Sequence, residues 1–313
     1  MKKCLSLIFA VLFIVSSGMT AAGSDKTSRK DKKIDPIDDL FADYALVAPP
    51  EPVNLPIIMY HQISENRGRL DTYVISPDEF EEDLKLFKDN GFTTIAVSDL
   101  IKFVTKKGEL PEKPIMLTFD DGFESDYVYA FPLLKKYEMK AIFSIIGRFT
   151  DMFSEEGVVK HINYSHLSWD QITEMHKSGF ADFHNHTYDM HVIDKRRGAL
   201  PRKYESDEEY EKVIKDDLGK LNEEYKEHIG VSPEAFTCPF GCYNDRLKEA
   251  VRKVGFSVIF SSAQTMNTLT GDPEELFKLN RFVREHNKNM DKLVSSWDKY
   301  YNKDKENKNN DNK

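Results

Sequence analysis

The 313-residue sequence predicts an α/β protein with a parallel sheet, in the form of a closed or nearly closed β/α barrel. Three observations predict this fold. Apolar, strand-like runs alternate with helical patterns, the helical patterns start and stop at recognisable capping residues, and polar residues follow several of the strand-like runs. Strands that alternate with helices over this length are typical of parallel sheets. An open doubly wound sheet is the alternative.

The chain is expected to contain four segments. We place a signal peptide at 1–22, a flexible linker at 23–52, one folded domain at 53–298 and a disordered polar tail at 299–313. The linker and the tail are polar and highly charged, which favours a solvated chain over a packed core.

The first 22 residues have the features of a secretion signal. Two lysines precede an apolar run at 5–15, and small residues follow at 20–22. The run is shorter than the roughly 20 residues that span a bilayer, and an uncleaved anchor is the alternative. The sequence therefore predicts a secreted or cell-surface protein with no stable membrane span after cleavage.

The net charge of −9 argues against nucleic acid as the main partner, because phosphate binding requires a basic surface. A neutral or cationic substrate suits this charge better. Removal of the signal leaves Cys238 and Cys242, which are too few for a disulfide framework. The sequence leaves open whether a disulfide bridge joins these two cysteines, and it does not specify the oligomeric state.

Three helices are predicted from their capping residues. In "SPDEFEEDLKLFKDNG", Ser76 is the expected N-cap, Pro77 takes the first helical position and Glu79 completes a capping box. Gly91 is the expected stop. The same device recurs at Ser168, Gln171 and Gly179, and at Asn244 and Gly255.

Eight apolar runs are the strand candidates: "PIIMY" (56–60), "TTIAV" (93–97), "PIMLTF" (114–119), "AIFSII" (141–146), "FADF" (180–183), "EAFTC" (234–238), "SVIFSS" (257–262) and "FKLNRFV" (277–283). Polar or turn-forming residues follow four of them: His61, Asp120 and Asp121, His184 and His186, and 239–241. In a β/α barrel such strand ends meet at one mouth, where active sites form.

Two of these segments indicate a metal site. The adjacent carboxylates of Asp120 and Asp121 repel each other, which a neighbouring cation would relieve. His186 and His191 with one carboxylate form a ligand set of two imidazoles and one oxygen, which leaves positions open for water and substrate. We expect His184 to be a packed side chain, and we place the other histidines in loops or on helix surfaces: His161, His166, His176, His228 and His286.

Four motifs resemble those of the polysaccharide deacetylase family, the NodB-type carbohydrate esterases. They are "MYHQI" (59–63), "LTFDDG" (117–122), "NHTYDMH" (185–191) and "CPFGCYN" (238–244), and the likeness covers about 53–285. The longer spacing of the two histidines and the early position of His61 resemble the permuted subgroup of poly-N-acetylglucosamine deacetylases.

This resemblance implies a distorted (β/α) barrel that removes N-acetyl, less often O-acetyl, groups from an acetylated polysaccharide with a divalent metal. Zn²⁺ is the expected ion, with Co²⁺ and Ni²⁺ as alternatives. By position, Asp121, His186 and His191 resemble the metal ligands, Asp120 resembles the general base and His61 the general acid.

Three further residues are candidates for supporting the metal ligands or contacting the substrate. Thr187 is expected to fix the orientation of a histidine, and Phe240 lies in a turn whose backbone N–H groups are oxyanion donors. Many members of the family that this chain resembles carry an arginine before the proline motif, where this chain has Thr237 and Cys238. Arg281 is expected to supply the missing charge, a surface arginine being the alternative.

Two other functions stay open from the sequence. One is a non-catalytic glycan-binding protein that retains the fold, and the other is a phosphoesterase-like metallohydrolase, although such sites often hold two metals. The sequence does not identify the polysaccharide.

Overall fold

The computed structural model describes residues 51–301. The predicted signal peptide lies outside the described residues, as do most of the predicted linker and most of the tail. The described part continues to Tyr301, whose ring packs edge-on against Phe92 with centroids 5.9 Å apart. No helix in this part of the chain combines the length and the apolar character that crossing a membrane requires.

Twelve strands are present in the described residues. Their bounds are β1 Val53–Leu55, β2 Ile57–Tyr60, β3 Gln62–Ile63, β4 Val74–Ile75, β5 Thr93–Thr94, β6 Pro114–Asp121, β7 Ala141–Ile145, β8 Ala181–Asn185, β9 Ala235–Thr237, β10 Val258–Phe260, β11 Asn267–Leu269 and β12 Phe282–Val283. Eight of them form one parallel sheet in the order β10-β9-β8-β7-β6-β2-β12, with β5 also paired to β6. Two small sheets, β1 with β11 and β3 with β4, accompany it.

The two edges of the large sheet are linked through the segment that leads into β12. Leu279 accepts a hydrogen bond from the backbone N–H of Ser261 (2.7 Å) and donates one to the carbonyl of Ile259 (2.8 Å). A few residues later the same segment pairs with β2. The sheet therefore curves so that its two edges meet through this irregular segment, and helices surround it, which confirms the predicted distorted barrel.

Eight α-helices flank the sheet in the described residues. Their bounds are α1 Pro77–Asp89, α2 Val97–Val104, α3 Phe131–Tyr137, α4 Gly147–Ser154, α5 Trp169–Lys177, α6 Asp207–Ile229, α7 Asp245–Val254 and α8 Met290–Ser295. A π-helical turn at Asp126–Ala130 precedes α3. The predicted caps are confirmed: Ser76 and Glu79 form the capping box of α1, and Asn244 accepts from the Leu247 N–H (2.8 Å) at the start of α7.

Two predicted strands are reduced to two residues each. In "TTIAV" only Thr93 and Thr94 pair with β6, because the Asp99 carboxylate accepts the Ala96 N–H (2.9 Å) and starts α2 at Val97. In "FKLNRFV" a 3₁₀ helix ends at Lys278, so only the last two residues form a strand. His184 lies within β8 rather than after it, and Asp120 and Asp121 are the last two residues of β6 rather than residues that follow it.

A ladder of aromatic rings crosses the sheet just below its carboxyl end. Tyr60, Phe119, Phe143 and Phe183 occupy paired positions on β2, β6, β7 and β8, with successive centroids 5.0, 5.0 and 5.5 Å apart. Each ring is at most 2% exposed, and burying such a side chain contributes about 1.5–3 kcal/mol. The register that aligns these rings also aligns the polar residues that follow them.

Candidate active site

The structure brings together the three predicted metal ligands. The Nε2 atoms of His186 and His191 each lie 3.5 Å from Oδ1 of Asp121, and the two imidazole centroids are 4.9 Å apart. The candidate ligand atoms all lie within 4.8 Å of one another. Ligands held about 2.1 Å from a tetrahedral ion stand roughly 3.4 Å apart. The spacing therefore fits a small divalent cation.

The hydrogen bonds around the site leave Nε2 of His186 and Oδ1 of Asp121 facing the expected position of the cation. Nδ1 of His186 lies 2.8 Å from the carbonyl of Thr237, to which it donates, so that Nε2 is the ring nitrogen that faces Asp121 and is available to a cation. Oδ1 of Asp121 is buried and has no hydrogen-bond partner among the described residues. Burial opposes its ionisation, but the neighbouring histidines outweigh burial and hold the pKa of Asp121 well below its usual range. An ionised, unpartnered oxygen is what a cation requires.

Asp120 forms a buried, bidentate ion pair with Arg281. The two guanidinium nitrogens lie 2.6 and 2.8 Å from the two carboxylate oxygens, and the side chains are 4% and 1% exposed. Arg281 also donates to the carbonyl of Ser261 (2.8 Å) and to Oγ1 of Thr118 (3.1 Å). Burial raises the pKa of Asp120, but Arg281 outweighs it and leaves the pKa below its ordinary value. Arg281 is thus no surface residue and fixes the orientation of Asp120.

His61 follows β2 and lines the same cavity as Asp120 and Asp121. Its ring packs edge-on against Tyr73 with centroids 4.7 Å apart. Burial lowers the pKa of His61, while the negative charges of Asp120 and Asp121 act in the opposite direction. Nδ1 of His61 is buried and has no partner among the described residues.

The cavity has a volume of about 450 Å³, and its walls include all five of the proposed catalytic and metal-binding residues. Phe240 forms part of the rim: it is 38% exposed, and its ring centroid lies 4.3 Å from that of His191. Arg281 also lines the cavity, whereas Thr187 does not. Thr187 is buried beneath it, where Oγ1 accepts the Met190 N–H (3.2 Å).

Several neighbours of the site differ from expectation or were not anticipated. His166 was expected at the surface but is 8% exposed, with its ring stacked on Phe123 and Phe149, and burial lowers its pKa to about 4. Asp126 is fully buried, and burial raises its pKa well above the usual range. No periodicity distinguishes these two residues, because "FESDY" and "NYSHL" carry no regular apolar pattern.

His184 is a packed side chain, as predicted. It is 3% exposed, lies 3.0 Å from the Asp182 carboxylate and accepts the Ala235 N–H. Cys238 and Cys242 are both free thiols in the structure.

Comparisons with known proteins identify relatives of this chain. The family model for polysaccharide deacetylases matches residues 107–259, which include the motifs around Asp121 and His186. The chain therefore carries a domain of the polysaccharide deacetylase family, and its enzyme class is that of hydrolases that act on acetylated polysaccharides.

The chain is similar to poly-β-1,6-N-acetyl-D-glucosamine N-deacetylase from Staphylococcus aureus strain N315, with 26% identity over 311 residues that cover 97% of this chain and 99% of that protein. Among solved structures, IcaB from Ammonifex degensii is 28% identical with a TM-score of 0.59, covering 74% of this chain and 92% of that chain. A de-N-acetylase from Aggregatibacter actinomycetemcomitans, 24% identical, shares the fold with a TM-score of 0.64 over 74% of this chain and 95% of that chain.

Proposed function

We propose that this protein is an exported, metal-dependent N-deacetylase of a poly-N-acetylglucosamine-type polysaccharide. One observation carries the proposal: the three-ligand cluster of Asp121, His186 and His191 shares a single cavity with the Asp120–Arg281 pair and with His61. The similarity to the staphylococcal enzyme extends over nearly the whole of both chains, which supports the choice of substrate class. Export rests on the amino-terminal sequence, which resembles a secretion signal.

The residues of the cavity can divide the work of amide hydrolysis. A divalent cation held by the cluster, with Zn²⁺ the expected ion and Co²⁺ or Ni²⁺ as alternatives, would supply an activated water molecule near neutral pH. Asp120 accepts the proton of the attacking water, and Arg281 keeps that carboxylate ionised and oriented.

Two groups act on the acetyl end and the departing end of the amide. The turn at Pro239–Gly241 carries the backbone N–H of Phe240 as a donor for the oxygen that becomes negative. Protonated His61 donates to the departing amine; burial lowers the pKa of His61, which favours release of this proton, and the charges of Asp120 and Asp121 partly oppose that lowering. The products are acetate and a free amine on the sugar.

Acetate release from β-1,6-linked and β-1,4-linked N-acetylglucosamine oligomers tests this function. We expect the wild type to release acetate from the β-1,6-linked oligomers, to lose activity with a chelator and to recover it with Zn²⁺, Co²⁺ or Ni²⁺. Asp120→Asn and His186→Ala should each lower kcat/KM at least about 100-fold. The matched control, Asp170→Asn at an exposed position of α5, should retain activity.

Two results would contradict the proposal. Full activity in both site variants would exclude this cavity as the catalytic site. Glycan binding that persists after metal removal, without acetate release from any oligomer, would favour the non-catalytic alternative. A metal content of one ion per chain is expected, and two ions would favour a phosphoesterase-like site instead.

A further inference from the structure

We propose that Asp217 on α6 is a positioning residue for the candidate metal-binding loop, defined as residues 186–191. The inference rests on the proposed function, because it concerns the same cation site. Asp217 touches none of the three candidate ligands in the hydrogen-bond network. It acts through the backbone between them, and it thereby sets where His191 lies relative to Asp121.

Both carboxylate oxygens of Asp217 accept hydrogen bonds from this loop. Oδ1 accepts the backbone N–H of Tyr188 (2.8 Å), and Oδ2 accepts that of Asp189 (2.9 Å). These two consecutive N–H groups lie midway between the two histidines. A single half-buried carboxylate on a neighbouring helix therefore fixes the central part of the five-residue step from His186 to His191. Hydrogen bonds from N–H groups to an ionised acceptor are the stronger kind.

The rest of the loop is fixed by other elements, so the contribution of Asp217 is separable. Four hydrogen bonds hold the flanking positions: Thr187 N–H to Asn185 Oδ1 (2.8 Å), Gly147 N–H to the Thr187 carbonyl (3.1 Å), Arg148 N–H to the Tyr188 carbonyl (3.0 Å) and Met190 N–H to Thr187 Oγ1 (3.2 Å). None of these satisfies the N–H groups of Tyr188 and Asp189. Without Asp217, those two donors lose their partners.

Helix α6 is a rigid base for this contact. Its apolar face is buried through residues that include Ile214, Leu218 and Leu221, each 0% exposed. Asn185, at the end of β8, donates to the Leu218 carbonyl (3.0 Å) and to Oδ1 of Asn222 (2.9 Å). The helix thus contacts the chain both before and after His186.

The loop also contains a residue that needs external support. Thr187 has a left-handed backbone with φ of 76°, a conformation that costs a non-glycine residue about 1–2 kcal/mol. Because Asp217 holds the two residues that follow, its removal allows this turn to relax. The expected consequence is a displaced His191 and a weaker cation site, with the packed core unchanged.

Cation binding to metal-free protein tests the role of Asp217. Asp217→Asn keeps the size of the side chain but turns an NH₂ group toward one of the two N–H donors. Asp216→Asn is the matched control, since Asp216 is the exposed neighbour on the same helix and pairs with Lys212 at i,i+4. We would titrate each apo-protein with Zn²⁺ and Co²⁺ and record the visible spectrum of the Co²⁺ form.

We expect Asp217→Asn to raise the Kd for Zn²⁺ about 10–100-fold, the usual effect of removing an outer partner of a metal site, and to change the Co²⁺ spectrum. Asp216→Asn should match the wild type in both. An unchanged Kd and spectrum in Asp217→Asn, whatever its Tm, would overturn the inference while leaving the proposed function intact. A wild-type protein that binds neither ion would overturn the proposed function and this inference with it.

Hydrogen exchange on the wild type gives a measurement that does not depend on the folding of a variant. The amides of Tyr188 and Asp189 should be protected in the apo-protein to about the same degree as those of α6, because Asp217 binds them before any cation is present. Rapid exchange of both amides would show that the contact is not formed, and would overturn the inference.

Discussion

Arg281 offers the sharpest test of how the site is built, through the substitution Arg281→Met. The methionine keeps much of the side-chain volume but removes four hydrogen bonds, to the two oxygens of Asp120, to the Ser261 carbonyl and to Thr118. The carboxylate of Asp120 then has a buried charge with no opposite charge beside it. Its side chain is only 4% exposed, so water cannot replace the guanidinium.

The expected loss of stability follows from this burial. Removing one partner of a buried ion pair costs about 3–5 kcal/mol, because the remaining charge stays desolvated. Domains have total stabilities of about 5–15 kcal/mol, so the variant should be severely but measurably destabilised. The double variant Asp120→Asn/Arg281→Met removes the uncompensated charge as well. We expect the double variant to be about 2 kcal/mol more stable than the sum of the two single effects predicts.

Urea unfolding followed by tryptophan fluorescence measures these differences, because Trp169 and Trp297 are both buried. Arg252→Met is the control: Arg252 also contacts both oxygens of a carboxylate, that of Glu274, but at an exposed position. Its effect should be several-fold smaller. The reasoning about this pair is wrong if the free energy of unfolding of Arg281→Met lies within about 1 kcal/mol of the wild-type value. It is also wrong if adding Asp120→Asn to Arg281→Met recovers no stability.

Two further outcomes can be checked by the same unfolding measurements. Burial opposes ionisation of Glu79, but hydrogen bonds from the Ser76 and Asn287 backbone and from His286 outweigh it and lower its pKa to about 2. Because the pKa of Glu79 is lower in the folded state, its ionised carboxylate stabilises the fold above the unfolded pKa of about 4.5, and this stabilisation is lost as the pH falls toward 2. Glu79→Gln should therefore lower the free energy of unfolding at pH 7 and lower it progressively less below pH 4.5. A difference that does not depend on pH would contradict this. Gly122→Ala should cost at least about 2 kcal/mol, because φ is +71° and the new Cβ would lie 2.7 Å from Cγ2 of Ile145; a loss under about 0.5 kcal/mol would contradict it.

The sequence was sufficient for the elements whose local signals agree with the packing. Ser76 and Glu79 specify the start of α1 through side-chain to backbone hydrogen bonds that involve only neighbours in the chain. The aromatic ladder supplies the same kind of agreement for the strands, since each ring is followed in register by a polar residue. Local chemistry was thus enough to predict that Asp120, Asp121 and His186 lie at the carboxyl ends of parallel strands.

Contacts between distant segments could not be predicted in this way. Arg281 reaches Asp120 across 161 positions; only the family resemblance made it a candidate, because nothing in "KLNRFV" itself distinguishes a buried arginine from a surface one. Asp217 lies in "IKDDLGK", where its neighbour Asp216 has the same chemistry but points to solvent. Which of two adjacent aspartates faces the candidate metal-binding loop depends on the rotation of α6 about its axis, and the packed apolar face of α6 sets that rotation.

Backbone conformation shows that the site is held in place by the fold before any ligand binds. Asp121, Thr187 and Phe240 all have left-handed backbones, with φ of 70°, 76° and 58°. Such conformations cost about 1–3 kcal/mol each and persist only where surrounding contacts over-determine them. The contacts are specific in each case: β6 pairs with β7 up to Asp121, Asn185 holds the Thr187 N–H, and the Gly241 N–H closes the Phe240 turn on Cys238. The strain is therefore balanced by contacts that also position the candidate ligands, and a cation would enter a site whose three candidate donors are already oriented.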